Sequence, residues 1–128
     1  MKVEVAYGDV VDRVTILRLK ARHVAEPALL ARVHTELAAL QDAWRAEGLP
    51  SMESLAPWER LCVVNAALWD VEDALRALER RQDFGEDFVA RARSVYVLND
   101  ERAVLKREIN ESLGSPIVEV KWYAGGER

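Results

Sequence analysis

The stretch that decides the fold runs from Asp87 to Leu113 and reads DFVARARSVYVLNDERAVLKREINESL. Its apolar residues recur three and four positions apart, which predicts one long amphipathic helix. Gly114, followed by Pro116, marks the expected C-terminal end of this helix. The helix departs from a simple amphipathic pattern because polar side chains lie inside or beside its apolar face. We call these the inner polar set: Arg91, Asn99, Arg102, Lys106 and Asn110.

The inner polar set needs partners from the rest of the chain or from a ligand. At about 100° per residue, Arg91 and Arg102 fall within the apolar arc, and the other three residues lie along its edge. A buried guanidinium without a carboxylate is strongly unfavourable. Asp12, Asn65 and Glu72 are the candidate partners on earlier helices. We expect Glu72 to pair with Arg102, because both lie near the middle of their helices and arginine binds a carboxylate through two parallel hydrogen bonds.

Two interpretations of the inner polar set are open at this point. In the first, its members and their partners neutralise one another and only fix the register of packed helices. In the second, Arg91, Arg102 and Lys106 exceed the available carboxylates and form a cationic pocket for a small anion, such as a carboxylate, a phosphate or a sugar phosphate. The candidate ligand-binding residues are then Asp12, Glu72, Arg91, Asn99, Arg102, Lys106 and Asn110. No pattern in the chain assigns a catalytic residue.

Three further helices are predicted before the long one. The first starts near Asp9, the second restarts at Pro27 and continues to about Glu47, and the third runs from about Pro57 to about Arg81. The third helix repeats apolar residues three and four positions apart, which predicts that it packs along the fourth as a long helical hairpin. These seam residues are Leu61, Val64, Leu68, Val71, Leu75 and Leu78.

Both ends of the chain alternate polar and apolar residues, which is typical of half-buried strands. The segments read KVEVA at residues 2–6 and IVEVKWY at residues 117–123. We expect them to pair with each other as a short two-stranded ribbon packed on the helices, with pairing to a second copy as the alternative. The predicted fold class is therefore mainly α. It is an antiparallel three- to four-helix bundle with a long helical hairpin and a terminal ribbon, in one domain of residues 1–128.

The charge and the residue composition of the chain argue against several classes of function. The net charge of −4 and the pI of about 5.3 provide no basic surface for nucleic acid. No run approaches the roughly 20 apolar residues of a membrane span, and the N-terminus does not resemble a secretory signal. The single cysteine, Cys62, and two histidines 11 positions apart predict no metal site and no cofactor. We expect a cytoplasmic protein.

Three segments carry a resemblance to a known family. They are YGDVVDRVTILRLK at 7–20, VNAALWDVEDALR at 64–76 and ARSVYVLNDERAVLKREINESLGS at 92–115. They resemble an uncharacterised bacterial family of small helical proteins, a domain of unknown function. Its members occur alone or attached to larger proteins with glycosyltransferase or tetratricopeptide-type regions. The resemblance implies a bacterial cytoplasmic protein in a glycan or surface-polysaccharide setting, and it brings no catalytic residue.

Two principal functional hypotheses follow. The first is a non-enzymatic accessory or binding protein that serves a glycosyltransferase-type partner, as a homodimer. The second is a small all-α enzyme or sensor that holds an anionic metabolite in the inner polar set. A purely structural role through helical and strand surfaces is a third hypothesis.

Overall fold

Four α-helices make up most of residues 1–127, the part of the chain that the computed structural model describes. None of these four helices combines the length and the apolar composition needed to cross a membrane. A 3₁₀ turn at Met52–Ser54 precedes the third helix, and two short antiparallel strands follow the fourth. The helices are α1 (Tyr7–His23), α2 (Pro27–Ala46), α3 (Trp58–Arg80) and α4 (Glu86–Leu113).

The predicted mainly helical fold is confirmed, and several helix ends follow local sequence rules. Pro27 is the first residue of α2, and the side chain of Glu26 accepts hydrogen bonds from the next free backbone amides, at 3.0 Å from Ala28 and 2.9 Å from Leu29. Gly114 ends α4 in the left-handed conformation, with φ of 64°. The sequence therefore sets these boundaries through ordinary capping chemistry.

The start of α1 is set by tertiary contacts. The helix begins at Tyr7, with Ala6 as its N-cap, and the predicted cap Asp9 lies within the first turn. The backbone N–H of Tyr7 donates to the hydroxyl of Ser115 at 3.1 Å, and the N–H of Gly8 donates to Oδ1 of Asn110 at 2.7 Å. Side chains at the end of α4 thus satisfy amides that a local cap would otherwise bind.

The core lies where α1 packs between α2 and the α3–α4 hairpin. Helix α1 contacts all three other helices, and α3 and α4 pack along each other as predicted. In α2, by contrast, Trp44 is the one buried residue, and its indole N–H donates to the carbonyl of Pro50 at 2.8 Å. The core cluster consists of Val11, Val14, Trp44, Met52, Trp58, Leu61, Val64, Leu105 and Ile109.

The seam of the hairpin is closed at one level and open at another. Leu61 and Val64 are fully buried, whereas Leu68, Val71 and Leu75 are only partly covered. The difference arises because α1 ends at His23, whose ring lies 4.7 Å from that of Trp69 on α3. Beyond this level no third helix among the described residues covers the seam, and a groove remains until Leu78 is buried again near the hairpin turn.

The predicted ribbon between the two chain ends is wrong. Residues 1–6 form no strand, and the described C-terminal segment folds back on itself, pairing Trp122–Tyr123 with Gly126–Glu127. The hydroxyl of Ser115, which holds the start of α1, also donates to the carbonyl of Ile117 at 2.7 Å. The alternating residues indicated an extended backbone, but a ladder also needs free carbonyl and amide groups facing each other.

Candidate functional site

Asp12 is the centre of a buried polar network that joins three helices. Its residue is 5% exposed. Arg102 on α4 donates to both carboxylate oxygens, from Nε to Oδ1 at 2.8 Å and from Nη2 to Oδ2. Asn65 on α3 donates from Nδ2 to Oδ1 at 2.9 Å. The carboxylate on α1 is therefore clamped by a bidentate guanidinium from one side and an amide from the other.

Thr15 is the fourth member of the network and lies on α1, one turn after Asp12. The Nδ2 group of Asn65 donates to Oγ1 of Thr15 at 2.7 Å, and this hydroxyl donates to the carbonyl of Asp12 at 2.7 Å. Thr15 and Asn65 are 3% and 4% exposed, and within residues 1–127 no fully buried side-chain nitrogen or oxygen lacks a partner. A satisfied network of this kind holds its members in one geometry.

Arg102 is held as a fixed cation at the edge of the network. Its hydrogen bond with Asp12 raises the pKa of the guanidinium, against the opposing effect of burial. Its Nη1 group donates weakly to Oδ1 of Asn99, at 3.4 Å. Since a guanidinium carries five N–H groups, Arg102 retains donors that these bonds do not use.

Lys106 lies one turn further along α4 and has its own carboxylates. Its Nζ is 2.8 Å from Asp9 and 3.4 Å from Glu119, and its side chain is 16% exposed. Burial lowers the pKa of Lys106, but the hydrogen bond with Asp9 and the charges of Asp9, Asp12 and Glu119 outweigh this effect, so the pKa is raised. Lys106 therefore ties the start of α1 and the C-terminal segment to α4.

Asn110 and Gly8 mark the closest approach of α1 and α4. A Cβ atom on Gly8 would collide with the carbonyl oxygen of Lys106 and would lie 3.0 Å from Oδ1 of Asn110. Glycine is thus required by contact between backbones and not by a special dihedral angle. This contact lets Asn110 bind the amide of Gly8.

A groove of about 380 Å³ opens directly beside Arg102, at the level where α1 ends. We call it the hairpin groove. Its apolar lining residues come from α1 and α3, and its polar lining residues come from α3 and α4. The lining residues are Ile16, Leu19, Asn65, Leu68, Trp69, Glu72, Asp73, Arg76, Asn99 and Arg102.

Comparison with known proteins assigns the chain to a family. The model of a family of unknown function, DUF6165, matches residues 1–126. The chain belongs to this family. No curated protein and no solved structure matches it.

In this DUF6165 chain, the predicted site residues divide into three places. Arg102 and Asn99 line the hairpin groove, and Asp12 is bound to Arg102 behind it. Lys106 and Asn110 lie further along α4, at the start of α1. Arg91 is separate from both groups: it pairs with Asp87 one turn away, at 2.9 Å, with 43% of its side chain exposed. The helical arc predicts that Arg91 lies inward, but in the described part of the chain no third helix covers the hairpin at that level.

The predicted Glu72–Arg102 pair is wrong. Arg102 binds Asp12, and Glu72 binds Arg76 on its own helix at 2.9 Å. Glu72 does line the hairpin groove, but in a different pair. Arg102 pairs with Asp12 because this carboxylate is buried beside it, and a buried ion pair is screened less by water and salt than one at the surface.

The surplus of cations that the second interpretation requires is not found among the described residues. Arg91 pairs with Asp87, Arg102 with Asp12, and Lys106 with Asp9 and Glu119. Binding of an anion by this DUF6165 protein would therefore depend on directed N–H groups and not on unbalanced charge.

The predicted site left out several residues that the structure brings to it. Thr15 and Asp9 lie three positions after and before Asp12, so helical spacing could have placed them on its face. Trp69 and Asp73 lie off the seam of α3 and become wall residues only because α1 stops short. Glu119 follows the last helix in the alternating segment 117–123, and alternation does not indicate which helix its side chain contacts.

The hairpin groove combines polar and apolar groups that could contact a ligand. The groove offers amide, guanidinium and carboxylate groups beside apolar side chains. Burial raises the pKa of Cys62, which keeps the thiol protonated and poorly nucleophilic. Within the described residues, no cluster of three or more His, Cys, Asp or Glu side chains could hold a metal ion.

Proposed function

We propose that this chain is a small cytoplasmic binding protein whose hairpin groove holds a small molecule through an anionic, oxygen-rich group. Arg102 and Asn99 are the residues that would receive this group. The observation that carries the proposal is the position of Arg102. One edge of its guanidinium is fixed by Asp12, while the side chain also lines the groove.

The buried network supports this role because it removes the cost of ordering the arginine. A free arginine side chain loses about 2 kcal/mol of rotamer entropy when it is fixed. Here Asp12 has already fixed it, so a ligand oxygen that reaches the remaining N–H groups meets a preorganised donor.

Asn99 supplies a second donor next to Arg102. Its Oδ1 accepts from Nη1 of Arg102, which leaves its Nδ2 group without a protein acceptor among residues 1–127. Two neighbouring donors, one of them charged, suit a carboxylate, a phosphate or the phosphate of a sugar phosphate. Leu68 and Trp69 supply apolar surface for the rest of the ligand.

The biological setting is part of the proposal. The resemblance described above supports a bacterial protein that works as an accessory to a glycosyltransferase-type partner in glycan or surface-polysaccharide biosynthesis. A homodimer is proposed with it, and sedimentation of the purified protein over a range of concentrations tests that assembly. A strictly monomeric protein at all concentrations would contradict it.

The ligand proposal is tested by thermal shift and calorimetry with a defined panel. The panel contains inorganic phosphate, simple carboxylates, sugar phosphates, nucleotide sugars and neutral sugars. We expect at least one anionic compound to raise the Tm, because a ligand that binds only the folded state stabilises it. A flat response to every anionic compound would refute the proposal.

A matched pair of variants on α4 locates the binding site. Asn99→Ala removes a groove donor and should weaken the anionic ligand about tenfold, the value of a hydrogen bond to a charged group. Arg91→Met removes a cation from the same helix outside the groove and should leave affinity unchanged. Loss of affinity in Arg91→Met with none in Asn99→Ala would show attraction by overall charge instead of binding in the groove.

A further inference from the structure

The hairpin groove has a different polar character at its two ends. Asn65, Asn99 and Arg102 lie at one end, where α1 covers the seam. Asp73 and Arg76 lie further along α3. The eight residue steps from Asn65 to Asp73 correspond to about 12 Å along the helix axis. A ligand that fills the groove therefore meets two separate polar regions.

The far end of the groove has an excess of negative charge. Glu72 and Arg76 form an ion pair at 2.9 Å and neutralise each other. Asp73 lines the groove and has no ion-pair partner within residues 1–127. The indole of Trp69 lies in the same wall, four residues before Asp73. A carboxylate beside an aromatic ring is a favourable environment for a cationic group.

The region between the two ends is apolar. Leu68 lies between Asn65 and Asp73 along α3, and Ile16 and Leu19 of α1 complete the apolar lining. These side chains offer no hydrogen bond to a ligand, and they favour an uncharged, mainly aliphatic or ring-shaped segment. Along α3, the groove therefore presents hydrogen-bond donors at one end, apolar side chains in the middle and a carboxylate at the other end.

From this order we propose that the groove selects dipolar ligands, with an anionic group at Arg102 and Asn99 and an amino group at Asp73. The inference rests on the proposed function and adds a second binding position to it. A ligand with an anion alone leaves Asp73 unmatched, and a second anionic group at that end would be repelled. Charge complementarity at both ends therefore favours an amino-bearing carboxylate or phosphate.

The test compares three matched sets of probes by calorimetry on the intact chain. They are ω-amino carboxylates of increasing length, the alkyl carboxylates of the same lengths, and the corresponding alkylamines. We expect the amino carboxylates to bind at least about tenfold more tightly than either set with one charged end. We also expect an optimum at a length that spans the two ends of the groove.

Asp73→Asn and Asp70→Asn form the decisive pair of variants. Both remove one exposed carboxylate from α3, but only Asp73 lines the groove. Asp73→Asn should abolish the preference for the amino carboxylate while binding of the simple carboxylate persists. Asp70→Asn should retain the preference. Circular dichroism checks that both variants are folded.

The outcomes separate this inference from the function on which it rests. If simple and amino carboxylates bind equally, or if Asp70→Asn and Asp73→Asn have the same effect, the second binding position is refuted and the anion site stands. If neither set of carboxylates binds and the anionic panel also fails, the proposed function is refuted together with it.

Discussion

Replacing Asp12 with asparagine should remove a large part of the stability of this protein. The change keeps the size of the side chain but removes the charge that Arg102 and Asn65 bind. Breaking a buried ion pair by removing one partner costs about 3–5 kcal/mol. The side chain of Arg102 is 28% exposed, so it can regain some hydration, and we expect a loss at the lower end, about 3 kcal/mol.

The loss is measurable by urea denaturation followed by circular dichroism and tryptophan fluorescence. For a chain of this length, about 3 kcal/mol corresponds to a decrease in Tm of roughly 10 °C. A double-mutant cycle with Arg102→Met isolates the pair. The doubly substituted protein should be more stable than the sum of the single losses predicts, because neither charge is then left unpaired.

Arg91→Met is the control for this cycle, because its pair with Asp87 is exposed and lies within one helix. Such i,i+4 pairs contribute about 0.5 kcal/mol or less. If Asp12→Asn cost no more than Arg91→Met, or if the losses at Asp12 and Arg102 were additive, the reasoning that the buried network holds the three helices together would be refuted.

Three other predictions concern the contacts around this network. Gly8→Ala should destabilise the protein by about 1–3 kcal/mol, because the added methyl group collides with the carbonyl of Lys106. Thermal unfolding measures this loss, and an unchanged Tm would contradict the close approach of α1 and α4. Asn110→Ala should cost about 1–3 kcal/mol, because the buried amide of Gly8 loses its acceptor, and a neutral result would mean that another group binds it. The hydrogen bond with Arg60 lowers the pKa of Glu101, so its stabilisation is complete above the unfolded pKa of about 4.3 and is lost as the pH falls through the lower folded value. Glu101→Gln should therefore flatten the acid limb of a plot of stability against pH, and an identical limb in the variant would exclude this contribution.

The inner polar set shows which buried residues helical periodicity predicts correctly and which it does not. Helical spacing identified Arg102 as an inward cation, and the structure buries it beside Asp12. The same spacing placed Arg91 inward, where the structure leaves it at the surface. The two arginines lie on the same face of α4, but α1 covers the helix at Arg102 and not at Arg91. The periodicity of a single helix contains no information on which of its turns a neighbouring helix covers.

The partner of Arg102 illustrates the same limit. Glu72 and Asp12 were both candidates, and the middle of each hairpin helix favoured Glu72. The structure instead brings Asp12 to Arg102 across 90 positions of sequence. To choose between the two carboxylates, one must know how far α1 is shifted along the axis of α4. The close contact between Gly8 and α4 sets this shift.

The sequence by itself determined the helical class, the long hairpin, the proline start of α2 and the glycine end of α4. These features follow from side-chain spacing and capping, which act within a few residues. Only the tertiary structure decided where α1 stops along the α3–α4 seam, which carboxylate meets Arg102, and that residues 2–6 do not pair with residues 117–123. These depend on contacts between distant segments, and the hairpin groove exists because α1 ends at His23 while the two longer helices continue.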